Sequence, residues 1–87
     1  MDVWFNFPDL IAFKIQMNLP PRQGEFVYTS NIPHDCFRNS NEWNLHFDKK
    51  HNQGEWVITR VTYTIHPEST YANVLLQRPA IAGPTQN

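Results

Sequence analysis

Cysteine, glycine and charge are all scarce in this chain. Of its 87 residues one is cysteine, three are glycine and 17 % are charged. A single cysteine excludes an internal disulfide and a cysteine-rich zinc site. Seven Lys and Arg against eight Asp and Glu leave a formal net charge of -1. That balance excludes both the basic stripe of a nucleic-acid binder and the charge excess of a disordered acidic tail. No run of about 18 apolar residues is present, so no membrane-spanning helix is expected. No basic-then-apolar leader follows Met1, and with so little cysteine an intracellular location is expected.

What the sequence does have is aromatic rings. Trp4, Trp43 and Trp56 stand with three tyrosines and six phenylalanines. Each such ring can bury on the order of 150–250 Å², a large supply for one small domain spanning 1–87. Either the core is unusually aromatic, or some rings face a ligand, a partner or a second copy.

The hydrophobic period is that of strands. From Phe13 to Leu19 apolar and polar residues alternate, placing Phe13, Ile15, Met17 and Leu19 on one face. Pro20-Pro21 stops that strand, Gly24 permits a turn, and Glu25 to Thr29 forms a second short strand. Ser30 to Asn41 is rich in Asn, Ser and Pro and reads as loop. Trp43, Leu45 and Phe47 then alternate with Asn44, His46 and Asp48, which predicts a strand with the rings inward. Lys49 to Gly54 reads as a hairpin connection. Trp56 to His66 is the longest predicted strand, with Val57, Thr59, Val61, Tyr63 and Ile65 as its better core face. Pro67 ends it, Val74 to Gln77 is a last short strand, and 79–87 is read as a flexible tail. The expected fold is all-β: a small antiparallel β-sandwich, immunoglobulin-like or partial, of about five strands.

Three constellations invite chemistry. His46, Asp48 and His51 gather potential metal ligands around a predicted hairpin, but a solvated polar turn accounts for them and no metal or other cofactor is expected. Cys36 follows His34 and Asp35, yet nucleophile, base and orienting group converge in space rather than along one loop. No nucleophile elbow, phosphate loop or H-E-x-x-H occurs, so no enzyme is expected. The third constellation is a strand end. His66 is delivered to the edge of the sheet, Pro67 breaks the strand, and Ser69, Thr70 and Tyr71 follow in a predicted loop. An imidazole, two hydroxyls and a ring can together grip a flat polar group. Trp56 belongs with them as a surplus ring at a strand end.

That stretch resembles the YEATS domain, an immunoglobulin-like β-sandwich. Val61-Thr62-Tyr63-Thr64-Ile65-His66-Pro67 is similar to the family's V-x-Y/F-x-L-H strand. Thr70-Tyr71-Ala72-Asn73 is similar to the segment that follows it, after two additional residues, Glu68 and Ser69. Glu42 to Phe47 and Arg78-Pro79 resemble flanking elements, so the likeness spans roughly 42–79. The resemblance implies a reader of an acylated-lysine or histone-like peptide through 66–73, with His66 shaping the pocket, Thr70 or Ser69 bonding the acyl amide and Tyr71 forming one aromatic wall. The family's second wall, a G-W-G-x-F/Y loop, has no counterpart here.

The sequence therefore predicts a non-catalytic module that binds another protein or a peptide through His66, Ser69, Thr70, Tyr71 and Trp56. A second class is a compact interaction protein, such as a phage or viral inhibitor docking on a host complex. A third is a self-assembling subunit, since five strands leave open edges through which two copies can pair as a homodimer.

Overall fold

The structure is a computed structural model that describes residues 1–48 and 52–79. Its strands are β1 (Asp2–Asn6), β2 (Ala12–Gln16), β3 (Phe26–Tyr28), β4 (Glu55–His66) and β5 (Ser69–Gln77), and the described residues also hold one α-helix, α1 (Ser40–Asp48), and a 3-10 turn at His34–Cys36. The strands form one sheet in the order β2-β1-β5-β4-β3, curled into a half-barrel. The fold is mostly β as expected, but the layer facing the sheet is built from α1 and loops. The sheet is also mixed, because β1 runs parallel to β5 while every other pair is antiparallel. A parallel pair needs a long crossover, and here the chain between β1 and β5 provides it.

β1 lies in a stretch where the sequence showed no strand. Val3, Phe5 and Phe7 point into the core, but Trp4 between them hides the alternation. Phe5 and Phe13 pair across β1 and β2 with their rings stacked at 4.9 Å. Phe7 meets Trp56 edge-on at 5.0 Å, and Phe37 closes over Phe13 at 6.0 Å. Of the rings in termini, loops and strand ends, Phe5, Phe7, Phe37 and Trp56 are buried, whereas Trp4 and Tyr71 are only half-buried. The core is aromatic, and Phe26, Tyr28 and Tyr63 nonetheless remain exposed. Ile58, Ala72, Val74 and Leu76 complete it on β4 and β5.

The predicted strand at Trp43 to Phe47 is a helix instead. Asn39 caps it: its Oδ1 accepts the Glu42 N–H at 2.9 Å, and its Nδ2 reaches the Glu42 carboxylate at 3.5 Å. Glu42 also accepts from the Ala12 N–H at 3.2 Å and pairs with Arg38 at 3.1 Å, which ties the start of α1 to β2. In a helix Trp43, His46 and Phe47 share one face, and His46 on that face is wholly buried. His46 therefore points inward, not to solvent. It packs against Phe7 and Phe37, with centroids 5.6 and 5.1 Å apart.

The face of β4 also departs from expectation. Its buried residues near the base are Trp56 and Ile58, of the opposite parity to Val57. The ladder with β5 then shifts register between Ile58 and Arg60, where Thr59 is one residue too many. Such a bulge switches parity. Beyond it Val61, Tyr63 and Ile65 take over the core-side face, pairing with Val74, Ala72 and Thr70. The expected parity therefore holds for the outer half of the strand and fails for the inner half. The expected tail at 79–87 lies, apart from Pro79, outside the described residues, as do Lys49, Lys50 and His51.

Candidate functional site

β4 and β5 form a hairpin that reaches well beyond the core. At its base Trp56 is 3 % exposed, and its indole N–H donates to the Asn52 carbonyl at 3.1 Å. Arg78 lies 4.1 Å from the centre of that ring and donates to the Glu55 and Gln53 carbonyls at 3.1 and 2.7 Å. These contacts fix the base. The tip lies roughly 33 Å further on, at about 3.3 Å per residue over ten residues. There His66 pairs with Ser69 around a two-residue turn, Pro67-Glu68.

Burial falls steeply along this length. Val61 is half-buried, Tyr63 is 55 % exposed and Ile65 is 82 % exposed. All three project from the side of the sheet that elsewhere carries the core. Tyr63 stands in a cross-strand row with Ala72, Val3 and Ile15, so the apolar face continues outward from the core to Tyr63 and Ile65, which no described residue buries. The sheet is also open at its edge here. β3 pairs only with Glu55 to Val57, and Gly24 and Glu25 add backbone bonds to Ile58. Beyond Ile58 no described strand pairs with β4 on that side.

The five residues singled out from the sequence do not form one pocket. His66, Ser69 and Thr70 are exposed at the hairpin tip, and Ser69 and Thr70 belong to β5 rather than to a loop. Pro67 breaks the strand as expected, but the chain re-enters the sheet two residues later because Ser-Thr-Tyr suits a strand as well as a loop. Tyr71 pairs with Thr64 and is half-buried on the outer face, opposite to Thr70. Trp56 is a core residue at the far end of the hairpin. The tip is thus a surface rather than a cleft.

A concavity does exist, on the outer face. Asn6, Phe7, Pro8, Leu10, Arg38, Asn73 and Leu75 line a cleft of about 480 Å³. Asn6 Nδ2 lies within hydrogen-bonding distance of the Trp4 and Val74 carbonyls and Asn73 Oδ1, at 3.1, 3.3 and 3.3 Å. Arg38 donates to the Leu10 carbonyl at 2.7 Å. The sequence held no sign of this cleft, because it depends on the parallel pairing of β1 with β5.

The remaining candidates are spread apart. His34 Nε2 lies 3.0 Å from Ser40 Oγ, and burial, then the charge of Asp35, push the half-buried Cys36 thiol upward, away from an activated thiolate. Among the described residues no three His, Cys, Asp or Glu side chains gather as metal ligands, and no helix is long and apolar enough to cross a membrane. Comparison with protein-family models, curated proteins and solved structures returns no match.

Proposed function

We propose that the chain is a non-catalytic protein-binding module that works through the outer half of the β4–β5 hairpin. The observation that carries this reading is the exposure of Tyr63 and Ile65 on the core-side face of the sheet. A buried-type face left bare over an open strand edge is a surface suited to another polypeptide. The two-layered sandwich expected from the sequence would be completed on this reading by whatever covers that face. Acyl-lysine recognition is the narrower form of the proposal and is not favoured, because Thr70 and Tyr71 lie on opposite faces and close on no common guest.

Affinity capture from the protein's own cells tests the reading. The wild-type chain should retain one dominant binding partner, whether another protein or further copies of itself. A Tyr63→Lys, Ile65→Lys double variant should lose it while remaining folded. Equal retention by both chains would remove the proposal.

A further inference from the structure

The open edge of β4 has a sequence that fits itself. From Arg60 to His66 the chain reads Arg-Val-Thr-Tyr-Thr-Ile-His, which is nearly palindromic in chemistry about Tyr63. Two such strands laid antiparallel with Tyr63 opposite Tyr63 would place Thr62 against Thr64 and Val61 against Ile65. Arg60 would stand against His66. Each position then meets a residue of its own kind, apolar with apolar on the core-side face and polar with polar on the outer face.

Most of the usual protections of a sheet edge are missing from this segment. It contains no proline, no glycine and no lysine, and its one charged residue, Arg60, stands at its end opposite the exposed Leu75 on the outer face. The bulge at Thr59 and the turn at Pro67 flank it but do not interrupt it. β3 is only three residues long and stops short of it. Among the described residues the outer edge of β4 is therefore an unpaired template for strand addition, and the chemistry of that template is its own complement.

We infer that two copies of this chain pair through β4, antiparallel and centred on Tyr63, joining two five-stranded sheets into one of ten strands. The pairing is a two-fold, isologous contact, so it closes as a dimer and leaves no second copy of the edge free. Val61, Tyr63 and Ile65 of both copies then form a single apolar strip across the junction. The inference rests on the reading of the outer hairpin as a protein-binding surface and names a second copy as the occupant.

Two measurements test it. Sedimentation equilibrium from micromolar to millimolar concentration should show a monomer–dimer equilibrium for the wild-type chain. Ile65→Lys should weaken association at least about tenfold, because a cation then faces Val61 across the contact, whereas Gln77→Lys at the other end of the hairpin should not change it. The register is read by cysteine cross-linking in a Cys36→Ser background. Tyr63→Cys should oxidise to a covalent dimer, since directly opposed strand residues lie within disulfide reach. Arg60→Cys and His66→Cys should each fail alone and cross-link when mixed. A chain that stays monomeric at millimolar concentration overturns the self-pairing, and if that chain still captures a different protein through Tyr63 and Ile65, the broader reading survives. A dimer that ignores Ile65→Lys, or that forms no disulfide in the Tyr63→Cys variant, overturns the named edge.

Discussion

His46 donates its Nε2 hydrogen to the Thr29 carbonyl across 3.0 Å, and both residues are wholly shielded from solvent. The bond fixes the neutral tautomer and leaves Nδ1 buried without a hydrogen-bond partner among the described residues. Burial lowers the pKa of His46, outweighing the Thr29 carbonyl and the charge of Asp9, which act to raise it. In the unfolded chain the same group titrates near 6.5. As pH falls through that value the unfolded chain takes up the proton first, so stability drops until the lower, folded value is passed. Urea unfolding should therefore show the wild-type midpoint falling between pH 7 and pH 5. His46→Gln keeps a donor without the titration, and its midpoint should fall less over that range. At pH 8 the variant should be less stable by roughly 1–3 kcal/mol, through lost ring packing. Parallel pH profiles for the two chains would show that His46 does not govern this dependence.

The same residue explains the largest misreading of the sequence. Trp43, Leu45 and Phe47 alternate cleanly, and period 2 points to a strand. The helical stripe is equally present at 43, 46 and 47, but its most deeply buried member is a histidine, which a hydrophobic count treats as polar. The stronger signal lay upstream. Asn39-Ser40-Asn41-Glu42 has the spacing of a helix capping box, and in the structure the Asn39 side chain accepts the Glu42 N–H as that spacing requires. Asn39→Ala should cost about 1 kcal/mol in unfolding free energy, measured by urea titration. An effect below the error of such a titration would mean that tertiary packing alone sets the start of α1.

β4 was legible as a strand from end to end, whereas the bulge within it was not. Its residues carry β-branched and aromatic side chains throughout, so nothing in Thr59 itself marks it as the unpaired one. The pairing makes a sharp prediction. Deleting Thr59 leaves Ile58, Arg60 and Val61 opposite Leu76, Leu75 and Val74, as they are now. That deletion should change stability by less than about 1 kcal/mol and keep the Val61–Val74 contact in NMR spectra. Deleting Thr62, which is regularly paired, instead turns Tyr63 and Ile65 to the outer face. If the two deletions behave alike, the register described for the outer hairpin is incorrect.

Leu10 adopts a φ of 73° and is 81 % exposed. A leucine in the left-handed region is strained, and this one gains little burial in return. Leu10→Gly should therefore raise the unfolding free energy by about 1 kcal/mol, seen as a higher thermal midpoint. A lower midpoint would show that the Leu10 side chain, as one wall of the outer cleft, contributes more packing than the strain costs.

The position of the candidate site was only partly visible in advance. His66 and Pro67 correctly marked a strand end, but the residues beyond them were expected to fold over as a loop. Their true arrangement depends on pairing with β4, a non-local contact that single residues do not announce. The exposure of Ile65 has the same origin, because it depends on how far β3 and the loops extend alongside β4. The chain places a strongly apolar residue where its own fold does not cover it.

That residue is the place to measure. A photo-reactive phenylalanine analogue at position 65, with a control at the exposed position 77, reports directly on what lies against the outer hairpin in the cell. Position 65 should give a discrete adduct and position 77 none. An adduct of twice the chain's mass identifies a second copy, and one of any other mass identifies a different partner. No adduct from position 65, or equal adducts from both positions, would contradict the claim that the outer hairpin is the binding surface.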